Sequence, residues 1–470
     1  MCHPLPPTAN HREPLIPVDL DLVRKHDLPV PRYTSYPTAV QFADYASPGP
    51  LLAHLDETNR DGSVPLSLYF HLPFCESLCW FCGCTTVITV NHASADAYID
   101  CLEREMDLYL PRIHPGRRVA QLHYGGGTPT FLSPGQLARL GSLTRSRFAF
   151  APGAELSVEI DPRRLTRDHI TALAAQGFNR ASLGVQDFNP EVQQAVHRIQ
   201  PREMTGQAVD WLREEGFTSV NFDLIYGLPH QTVDSFRDTL GQALELGPDR
   251  LAVFSYAHVP WMKPAQKILD RGGALPAPET KLAMLKLVME TLTGSGYAYI
   301  GMDHFARETD ELARARAAGT LQRNFQGYST QAGGEIMGFG MSAVSQTPSG
   351  YRQNHKDLGK YRAALDRGEF PVARGLEATE EDRRRREIIM RIMCYLRLDF
   401  AELSGLFGFD FAGRYGGELA KMEPLALDGL VEVTGKGLLV TEAGRLFLRN
   451  IAVCFDAYHE AGAKHHARAV

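Results

Sequence analysis

The sequence predicts an α/β fold with parallel strands, and two observations lead to this class. From about residue 61 to 300, short runs rich in β-branched and aromatic residues alternate with longer stretches of helical character. Turn residues follow each short run before the helical stretch begins. Repeated β-then-α units imply parallel strands joined by right-handed crossovers, and therefore a doubly wound sheet or a barrel. The pattern alone does not separate these two architectures.

The strands of this repeat are expected where the short apolar runs lie. They are predicted at residues 66–70, 119–124, 155–160, 180–185, 219–225 and 251–256, with a weaker strand at 297–300. Before the repeat, residues 1 to about 60 are rich in proline and polar residues. The segment 31–38, Pro-Arg-Tyr-Thr-Ser-Tyr-Pro-Thr, has a proline near each end, which favours an extended conformation.

The composition changes again at about residue 375. The run 380–386, Glu-Glu-Asp-Arg-Arg-Arg-Arg, leads into an apolar helix and is expected to form its solvated face. Further helix-like segments and a glycine-containing hairpin at 434–437 resemble a winged helix. We therefore expect an N-terminal extension that contacts the active site (1–60), a central domain (61–350) and a mainly helical, winged-helix-like C-terminal domain (351–470).

Length and composition limit the possible functions. The chain has 470 residues, 44% hydrophobic and 22% charged, which suffices for one large domain with appendages or for two to three domains. A net charge of -6 argues against a general nucleic-acid or anionic-membrane binder, so the winged-helix region is expected to be a lid or scaffold. No leader segment or run of 18 apolar residues occurs, which predicts a cytoplasmic protein that binds no membrane. No heptad pattern demands a partner, and we expect a monomer.

Four of the eight cysteines lie within ten residues, directly after the first predicted strand: Cys75, Cys79, Cys82 and Cys84. The first three can ligate three irons of a [4Fe-4S] cluster and leave the fourth iron open, which suits chemistry better than electron carriage. A zinc knuckle needs two separated cysteine pairs, and a ferredoxin cluster needs a distant fourth cysteine. Neither spacing is present, and Cys84 is poorly placed to reach the remaining iron.

The alternative interpretation, buried apolar thiols, fits poorly with clustered cysteines beside a proline and a glycine. It does fit the isolated cysteines, which we expect to be inert thiols: Cys2, Cys101, Cys394 and Cys454.

Polar and glycine residues follow the other predicted strands where a parallel fold places its functional groups. A glycine-rich turn at 125–130 follows the second strand and could expose backbone groups to a ligand, or could simply be a tight connection. Glu159 lies on an otherwise apolar strand, where an unpartnered carboxylate is costly. Gln186 and Asp187 follow the fourth strand, and Asp223 lies on the fifth. A satisfied structural hydrogen bond is the alternative for each of them.

The spacing Cys-x3-Cys-x2-Cys resembles the signature of radical S-adenosylmethionine (SAM) enzymes. The longer motif from Tyr69, His71 and Pro73 through Cys84 resembles, more narrowly, the oxygen-independent coproporphyrinogen III oxidases, and this resemblance covers nearly the whole chain. It implies an incomplete (β/α)6 radical SAM barrel that is open on one side for a large substrate. The turn reads Gly-Gly-Gly-Thr instead of the Gly-Gly-Glu of many superfamily members, and this form matches the porphyrin branch.

The resemblance also implies a set of site residues. Cys75, Cys79 and Cys82 would hold the [4Fe-4S] cluster, and two SAM molecules would share one cavity. The first SAM would contact Tyr69, Gly126, Glu159 and Val344. The second would contact Phe81, Gly127, Thr128, Gln186, Arg198, Asp223 and Ala257. Tyr69 and His71 would be the catalytic side chains, although His71 could instead be a strand-end histidine bonded to backbone.

The implied reaction converts two propionate side chains of coproporphyrinogen III to vinyl groups, which gives protoporphyrinogen IX. A 5′-deoxyadenosyl radical derived from SAM would remove a hydrogen from the propionate β-carbon, after which CO2 departs and one electron passes to an acceptor. An electron donor for the cluster and an electron acceptor are therefore implied partners. Arg32 and Tyr33 are candidates for binding the propionates, and the polar stretch 323–330 is expected to face the cavity.

Two other functions fit part of the sequence. A haem-binding chaperone could share the same core without decarboxylating porphyrinogen, but the resemblance places Cys84 and the segment 31–38 with the oxidases. A radical SAM tRNA-modifying enzyme would carry a second cysteine cluster or a basic RNA-binding module. Neither occurs in the sequence.

Overall fold

A computed structural model describes residues 16–45, 49–331 and 334–459. The expectations about Cys2 and about the absence of a leader segment fall outside these residues. The described N-terminal part contains helix α1 (Leu20–His26), strand β1 (Ala43–Asp44) and helix α2 (Gly49–Thr58). The residues between α1 and β1 contain no helix or strand of more than three residues, as the proline-bounded segment predicted.

The central part alternates strands and helices as far as β9, and then contains mostly short strands. The elements are β2 (Leu66–Leu72), β3 (Phe74–Cys75), β4 (Val87–Ile88), α3 (Ala93–Tyr109), β5 (Val119–Gly126), α4 (Pro134–Arg147), β6 (Phe150–Ile160), α5 (Arg167–Ala175), β7 (Arg180–Gln186), α6 (Pro190–Ala195), α7 (Arg202–Glu214), β8 (Ser219–Tyr226), α8 (Val233–Glu245), β9 (Arg250–Ser255), α9 (Pro278–Gly294), β10 (Tyr297–Gly301), β11 (His304–Arg307), α10 (Glu311–Ala317), β12 (Gln322–Asn324), β13 (Gly327–Ser329), β14 (Glu335–Phe339), β15 (Val344–Thr347), β16 (Gly350–Asn354), α11 (Leu358–Asp366) and β17 (Val372–Glu377).

Six strands, β2 and β5 to β9, form the predicted (β/α)6 core. Each pairs in parallel with the next, and β14 adds a further parallel strand beside β2. Antiparallel strands extend the sheet on both sides, in the order β1-β17-β16-β15-β14-β2-β5-β6-β7-β8-β9-β11-β10. The two edge strands do not pair with each other in the described residues, so the barrel is incomplete, as expected.

The strand predicted at 297–300 exists but does not belong to the parallel repeat. It is β10, which forms a hairpin with β11, and β11 rather than β10 pairs antiparallel with β9. The chain reverses direction between β10 and β11 through Met302, whose φ is 57°. The parallel repeat ends at β9, because the next strand in the sheet, β11, is antiparallel to it. The strands β11 to β17 were not predicted, because they are short and mostly buried and therefore lack an alternating pattern.

The helical region begins at α12 (Glu380–Tyr395), because β16 and β17 still belong to the large sheet. Its remaining elements are β18 (Arg397–Asp399), α13 (Phe400–Phe407), α14 (Phe411–Arg414), α15 (Gly416–Ala420), α16 (Glu423–Leu427), β19 (Val431–Val433), β20 (Gly437–Val440) and α17 (Leu448–Ala452). The three short strands form an antiparallel sheet in the order β18-β20-β19 beside the helices. The predicted division at residues 60 and 350 stays a prediction.

The core has two main parts. One follows the parallel strands and their covering helices, and includes Leu68, Phe70, Val158 and Phe222, all fully buried. The other joins the N-terminal segment to the C-terminal helices and includes Tyr33, which is buried against this second group. No described helix combines the length and the hydrophobicity needed to cross a bilayer.

Candidate active site

The cysteine loop leaves the C-terminal end of β2. Its first turn is fixed by β3, which contains Cys75 and pairs with β4. Cys79 is buried, whereas Cys84 is exposed and its backbone N–H donates a hydrogen bond to the Cys82 sulfur at 3.4 Å. Burial raises the pKa of Cys75 to about 12, while the hydrogen bond with the Cys84 thiol is the main reason that the pKa of Cys82 falls to about 6.

The three predicted cluster ligands fit an iron-sulfur cluster in the chemistry of their donor atoms. Within the part of the chain that the structure describes, no three His, Cys, Asp or Glu side chains converge on one metal position. Each cysteine of a cubane cluster holds a different iron, so its ligands stand farther apart than those of one ion. Cys75, Cys79 and Cys82 all line one cavity at the end of the parallel strands, and these soft donors fit such a cluster.

This cavity has a volume of about 640 Å³ and opens at the carboxyl ends of the parallel strands. It brings together most of the predicted site residues: Cys75, Cys79, Phe81, Cys82, Gly126, Gly127, Glu159, Gln186, Arg198, Asp223 and Ala257. It does not include Tyr69, His71, Thr128 or Val344 in its wall. Thr128 lies instead in an adjoining cavity of about 230 Å³, which Cys75 also lines. The polar stretch 323–330 forms the hairpin β12–β13, and five of its residues face the main cavity, as expected.

Tyr69 and His71 form a hydrogen-bonded chain just behind the cavity wall. His71 Nε2 lies 2.9 Å from the carbonyl oxygen of Thr85, which can only accept, so this nitrogen carries the proton. His71 Nδ1 then accepts a 3.0 Å hydrogen bond from the Tyr69 hydroxyl. Burial lowers the pKa of His71, which keeps the ring neutral. A Cβ at Gly126 would stand 2.6 Å from this ring, so only glycine fits there.

Glu159 links the glycine-rich turn to the neighbouring strand. Its Oε2 accepts the Gly126 N–H at 2.9 Å, and its Oε1 lies 3.3 Å from His123 Nε2. Burial alone would raise the pKa of this carboxyl, but His123 and the Gly126 N–H outweigh it and leave the pKa below its usual value. The side chain is still 44% exposed, so an ionised carboxylate faces the cavity.

Asp223 presents a second carboxylate to the cavity. It accepts hydrogen bonds from Ser182 Oγ at 2.8 Å and from Asn221 Nδ2 at 2.9 Å, but forms no ion pair within the described ranges. Burial, with a contribution from nearby Glu159, raises the pKa of Asp223 to about 6. Gln186 lies at the end of β7 with a φ of 69°, which turns the chain at the cavity wall.

Arg198 contacts three groups at once. Its guanidinium donates to Asp161 Oδ2 at 2.9 Å, to the carbonyl oxygen of Gly184 at 2.6 Å and to the Cys79 sulfur at 3.6 Å. Asp161 also accepts from Arg163, whose Nη2 lies 3.3 Å from the same sulfur. Sequence reasoning missed Arg163, because nothing in the run Asp-Pro-Arg-Arg tells which arginine reaches the cysteine loop.

Three further predicted residues, Tyr33, Arg32 and Val344, do not line the main cavity. Tyr33 is buried, and its hydroxyl donates to Asp456 at 2.9 Å. Its contact with a propionate therefore stays a prediction that these contacts do not support. Arg32 forms an ion pair with Asp303 and lies 5.8 Å from the centre of the Phe254 ring, which is part of the cavity wall. Val344 begins β15, and its backbone packs against Gly338.

Comparison with known proteins decides the family. The profile of the radical SAM superfamily matches residues 69–243, and that of the HemN C-terminal domain matches residues 378–447. The oxygen-independent coproporphyrinogen III oxidase of Salmonella typhimurium is 46% identical over 440 residues, which is 94% of this chain and 95% of the relative. The enzyme of the same description from Escherichia coli is 47% identical over 441 residues, with the same coverage.

The chain belongs to the oxygen-independent coproporphyrinogen III oxidase family. A solved structure supports this: that of coproporphyrinogen III oxidase (HemN) from Escherichia coli, described as a radical SAM enzyme, has a TM-score of 0.90 at 45% identity. The similarity covers 95% of this chain and all of the other. The family implies a [4Fe-4S] cluster and SAM as cofactors. The expected family, fold class and cofactor types are therefore confirmed.

Proposed function

We propose that this protein catalyses the oxygen-independent oxidative decarboxylation of coproporphyrinogen III to protoporphyrinogen IX. The observation that carries the proposal is one cavity that contains the three cluster cysteines, both carboxylates of the rim and Arg198. Family relatives of the same length bear the name of this activity. When bound, the cluster and SAM supply a 5′-deoxyadenosyl radical that can remove a propionate hydrogen.

Cys75, Cys79 and Cys82, which line the cavity, would hold the cluster. Gly126 and the Glu159 carboxylate would contact the first SAM, because both line the cavity and the ionised carboxylate accepts hydrogen bonds there. Tyr69 and Val344 stand behind this position. A second SAM would contact Phe81, Gly127, Thr128, Gln186, Arg198, Asp223 and Ala257, all of which except Thr128 line the main cavity.

The protein side chains position the reactants rather than transfer protons to carbon. The Tyr69–His71 hydrogen bond fixes both rings, and the neutral His71 supports the backbone of Gly126 without adding charge. The hairpin β12–β13 closes the side of the cavity and limits the entry of water. Such restraint favours a radical step, because it holds the reacting carbon close and excludes competing donors.

The substrate carries carboxylates, and one wall of the cavity is suited to bind them. Gln326 and His304 line this wall, and the buried atoms Gln326 Nε2 and His304 Nδ1 have no hydrogen-bond partner among the described residues. Nearby Arg323 is buried, and its Nε and Nη1 also have none in the described chain. Burial, together with the nearby Arg449 and Arg323, lowers the pKa of Arg32 to about 9. Burial, together with Arg323 and Arg32, lowers the pKa of His304 to about 3. Arg32 therefore remains cationic at neutral pH, and His304 remains neutral.

Replacing Arg32 tests this wall. Arg32→Met is expected to raise the KM for coproporphyrinogen III about tenfold, because one charge-assisted contact to a propionate is lost. Arg24→Met is the matched control, since Arg24 is an exposed arginine of the same N-terminal segment that pairs only locally with Asp21. Equal KM values for the two variants would contradict the assignment of Arg32.

The activity itself is tested by anaerobic reconstitution of the cluster. The protein is incubated with SAM, dithionite, an electron acceptor and coproporphyrinogen III, and the porphyrin products are followed by mass. Loss of two CO2 per substrate, absent in Cys79→Ala, supports the proposal. SAM cleavage or haem retention without that product would contradict it and favour a haem chaperone. The same preparation, analysed by gel filtration, tests the expected monomer, and cell fractionation tests the expected cytoplasmic location.

A further inference from the structure

The cysteine loop is not the only element that reaches the cluster ligands. Arg163 lies on the short turn Pro162–Arg164 that follows β6, and its Nη2 donates to the Cys79 sulfur at 3.3 Å. Arg198 contacts the same sulfur at 3.6 Å from another element. Cys79 is thus a thiol with two guanidinium donors.

Asp161 fixes the guanidinium of Arg163 in place. Its carboxylate accepts from Arg163 Nε at 3.0 Å and from Nη2 at 2.6 Å, while the backbone N–H of Arg163 donates to Oδ1 at 3.1 Å. The Asp161 side chain is 16% exposed and that of Arg163 is 18% exposed, so water competes weakly for these contacts. Because both carboxylate oxygens of Asp161 hold the planar guanidinium group, its remaining N–H stays directed at the Cys79 sulfur.

We propose that Arg163, oriented by Asp161, raises the reduction potential of the [4Fe-4S] cluster by donating an N–H···S hydrogen bond to Cys79. Reduction adds one electron and makes the cluster and its thiolates more negative. A cationic donor at a ligand sulfur stabilises this reduced state more than the oxidised one. Arg163 acts through Cys79 and is therefore a positioning and tuning residue. The inference rests on the cluster that the family implies and is independent of the porphyrin substrate.

The neighbouring arginine offers a matched control. Arg164 follows directly in the same turn, but its side chain is 74% exposed and pairs with Glu76 at 2.9 Å. Arg163→Gln and Arg164→Gln remove the same charge from adjacent positions, and only the first removes a donor to Cys79. A general effect of net charge would shift the potential equally in both variants, whereas the hydrogen bond predicts a shift in the first alone.

The test is a dithionite titration of the reconstituted cluster without SAM or substrate, followed by electron paramagnetic resonance of the reduced form. Arg163→Gln is expected to have a more negative midpoint potential than wild type, with Arg164→Gln close to wild type. Arg163→Lys retains the charge but loses the fork, and its potential should lie between those of wild type and Arg163→Gln. Iron content per chain, measured for each variant, shows that the cluster is assembled.

Equal potentials for Arg163→Gln and Arg164→Gln would overturn the inference, as would a wild-type potential in Arg163→Gln. If Arg163→Gln holds no iron, Arg163→Lys decides: a potential below that of Arg164→Gln supports the inference and an equal one overturns it. Because no porphyrin is present, failure here does not bear on the proposed decarboxylation.

Discussion

The two ends of the barrel interior use charged side chains in opposite ways. At the amino ends of the strands, Arg180 pairs with Glu155 at 3.2 Å and with Glu311 at 2.5 Å. Arg250 pairs with the same Glu311 and with Asp310, each at 3.0 Å. These five side chains, from three strands and the start of α10, largely neutralise one another.

At the carboxyl ends, Asp161 pairs with Arg163 and Arg198, but Glu159 and Asp223 form no ion pair with an arginine or lysine among the described residues. In the described residues, Asp223 accepts hydrogen bonds from the neutral side chains of Ser182 and Asn221. Glu159 faces the cavity. The contrast shows that a charged side chain of the barrel is available for binding only where the fold does not supply an oppositely charged partner. The ion-pair network at the amino ends compensates its own charges, while Glu159 and Asp223 at the carboxyl ends are left to bind cofactors and substrate.

Removing a cluster ligand should have the largest effect at the carboxyl ends of the strands. Cys75→Ala, Cys79→Ala and Cys82→Ala should each lose the cluster and all SAM cleavage, because three thiolates are the minimum that hold it. Iron content and visible absorbance measure the cluster. Cys84→Ser is the control, since Cys84 is exposed and is expected to leave iron content unchanged. Full iron content in any of the three alanine variants would refute this ligand set.

Disrupting the ion-pair network at the amino ends should lower the free energy of unfolding without changing the binding of SAM. Arg180→Met removes the partner of Glu155, and both side chains are 17% exposed, so a carboxylate is left poorly compensated. The free energy of unfolding should fall by about 2 kcal/mol, as measured by denaturant unfolding. The KM for SAM should not change. A raised KM with unaltered stability would mean that this network belongs to the binding site.

Neutralising a carboxylate at the carboxyl ends of the strands should weaken SAM binding and leave the free energy of unfolding unchanged. Glu159→Gln keeps the size of the side chain but loses the charge that accepts the Gly126 N–H. SAM affinity should fall about tenfold, because charge-assisted hydrogen bonds are the stronger ones. Equilibrium binding of SAM to the reconstituted protein gives the measurement, and stability should stay near that of wild type. The two variants together separate the roles of the two ends.

The smallest expected effect is a dependence on pH that involves Asp223. Its pKa of about 6 lies above the unfolded-state value of 3.8, so its contribution to stability is present below about pH 4 and is lost as pH rises to about 6. The carboxylate that can accept from a ribose hydroxyl forms over the same range. SAM affinity should therefore increase about fivefold from pH 5 to pH 7.

Asp223→Asn has no titrating group at this position and serves as the comparison. Its SAM affinity should be flat over the same pH range, and its unfolding free energy should lose the part of the pH dependence that Asp223 contributes. A wild-type pH profile of SAM affinity in this variant would assign the titration to another group.

Local pattern and motif were enough for a large part of the fold and the site. The six parallel strands were predicted because each is a short apolar run before a helical stretch, and β2 and β5 to β9 lie where that pattern indicates. The cysteine ligands were predicted from spacing alone, since neighbours on one tight loop must converge. The strands β11 to β17 were not predicted, because they are short, and β14 and β16 are buried on both faces and therefore lack an alternating pattern.

The sequence by itself determined the family, the parallel core and the clustered thiols, because these depend on contacts between residues close along the chain or on recognisable motifs. Only the tertiary structure decided which charges are paired. Arg163 reaches Cys79 across 84 positions, the Tyr33 hydroxyl donates to Asp456, and Arg180 pairs with Glu311. Such pairings arise from the close packing of distant elements, and no local pattern encodes them.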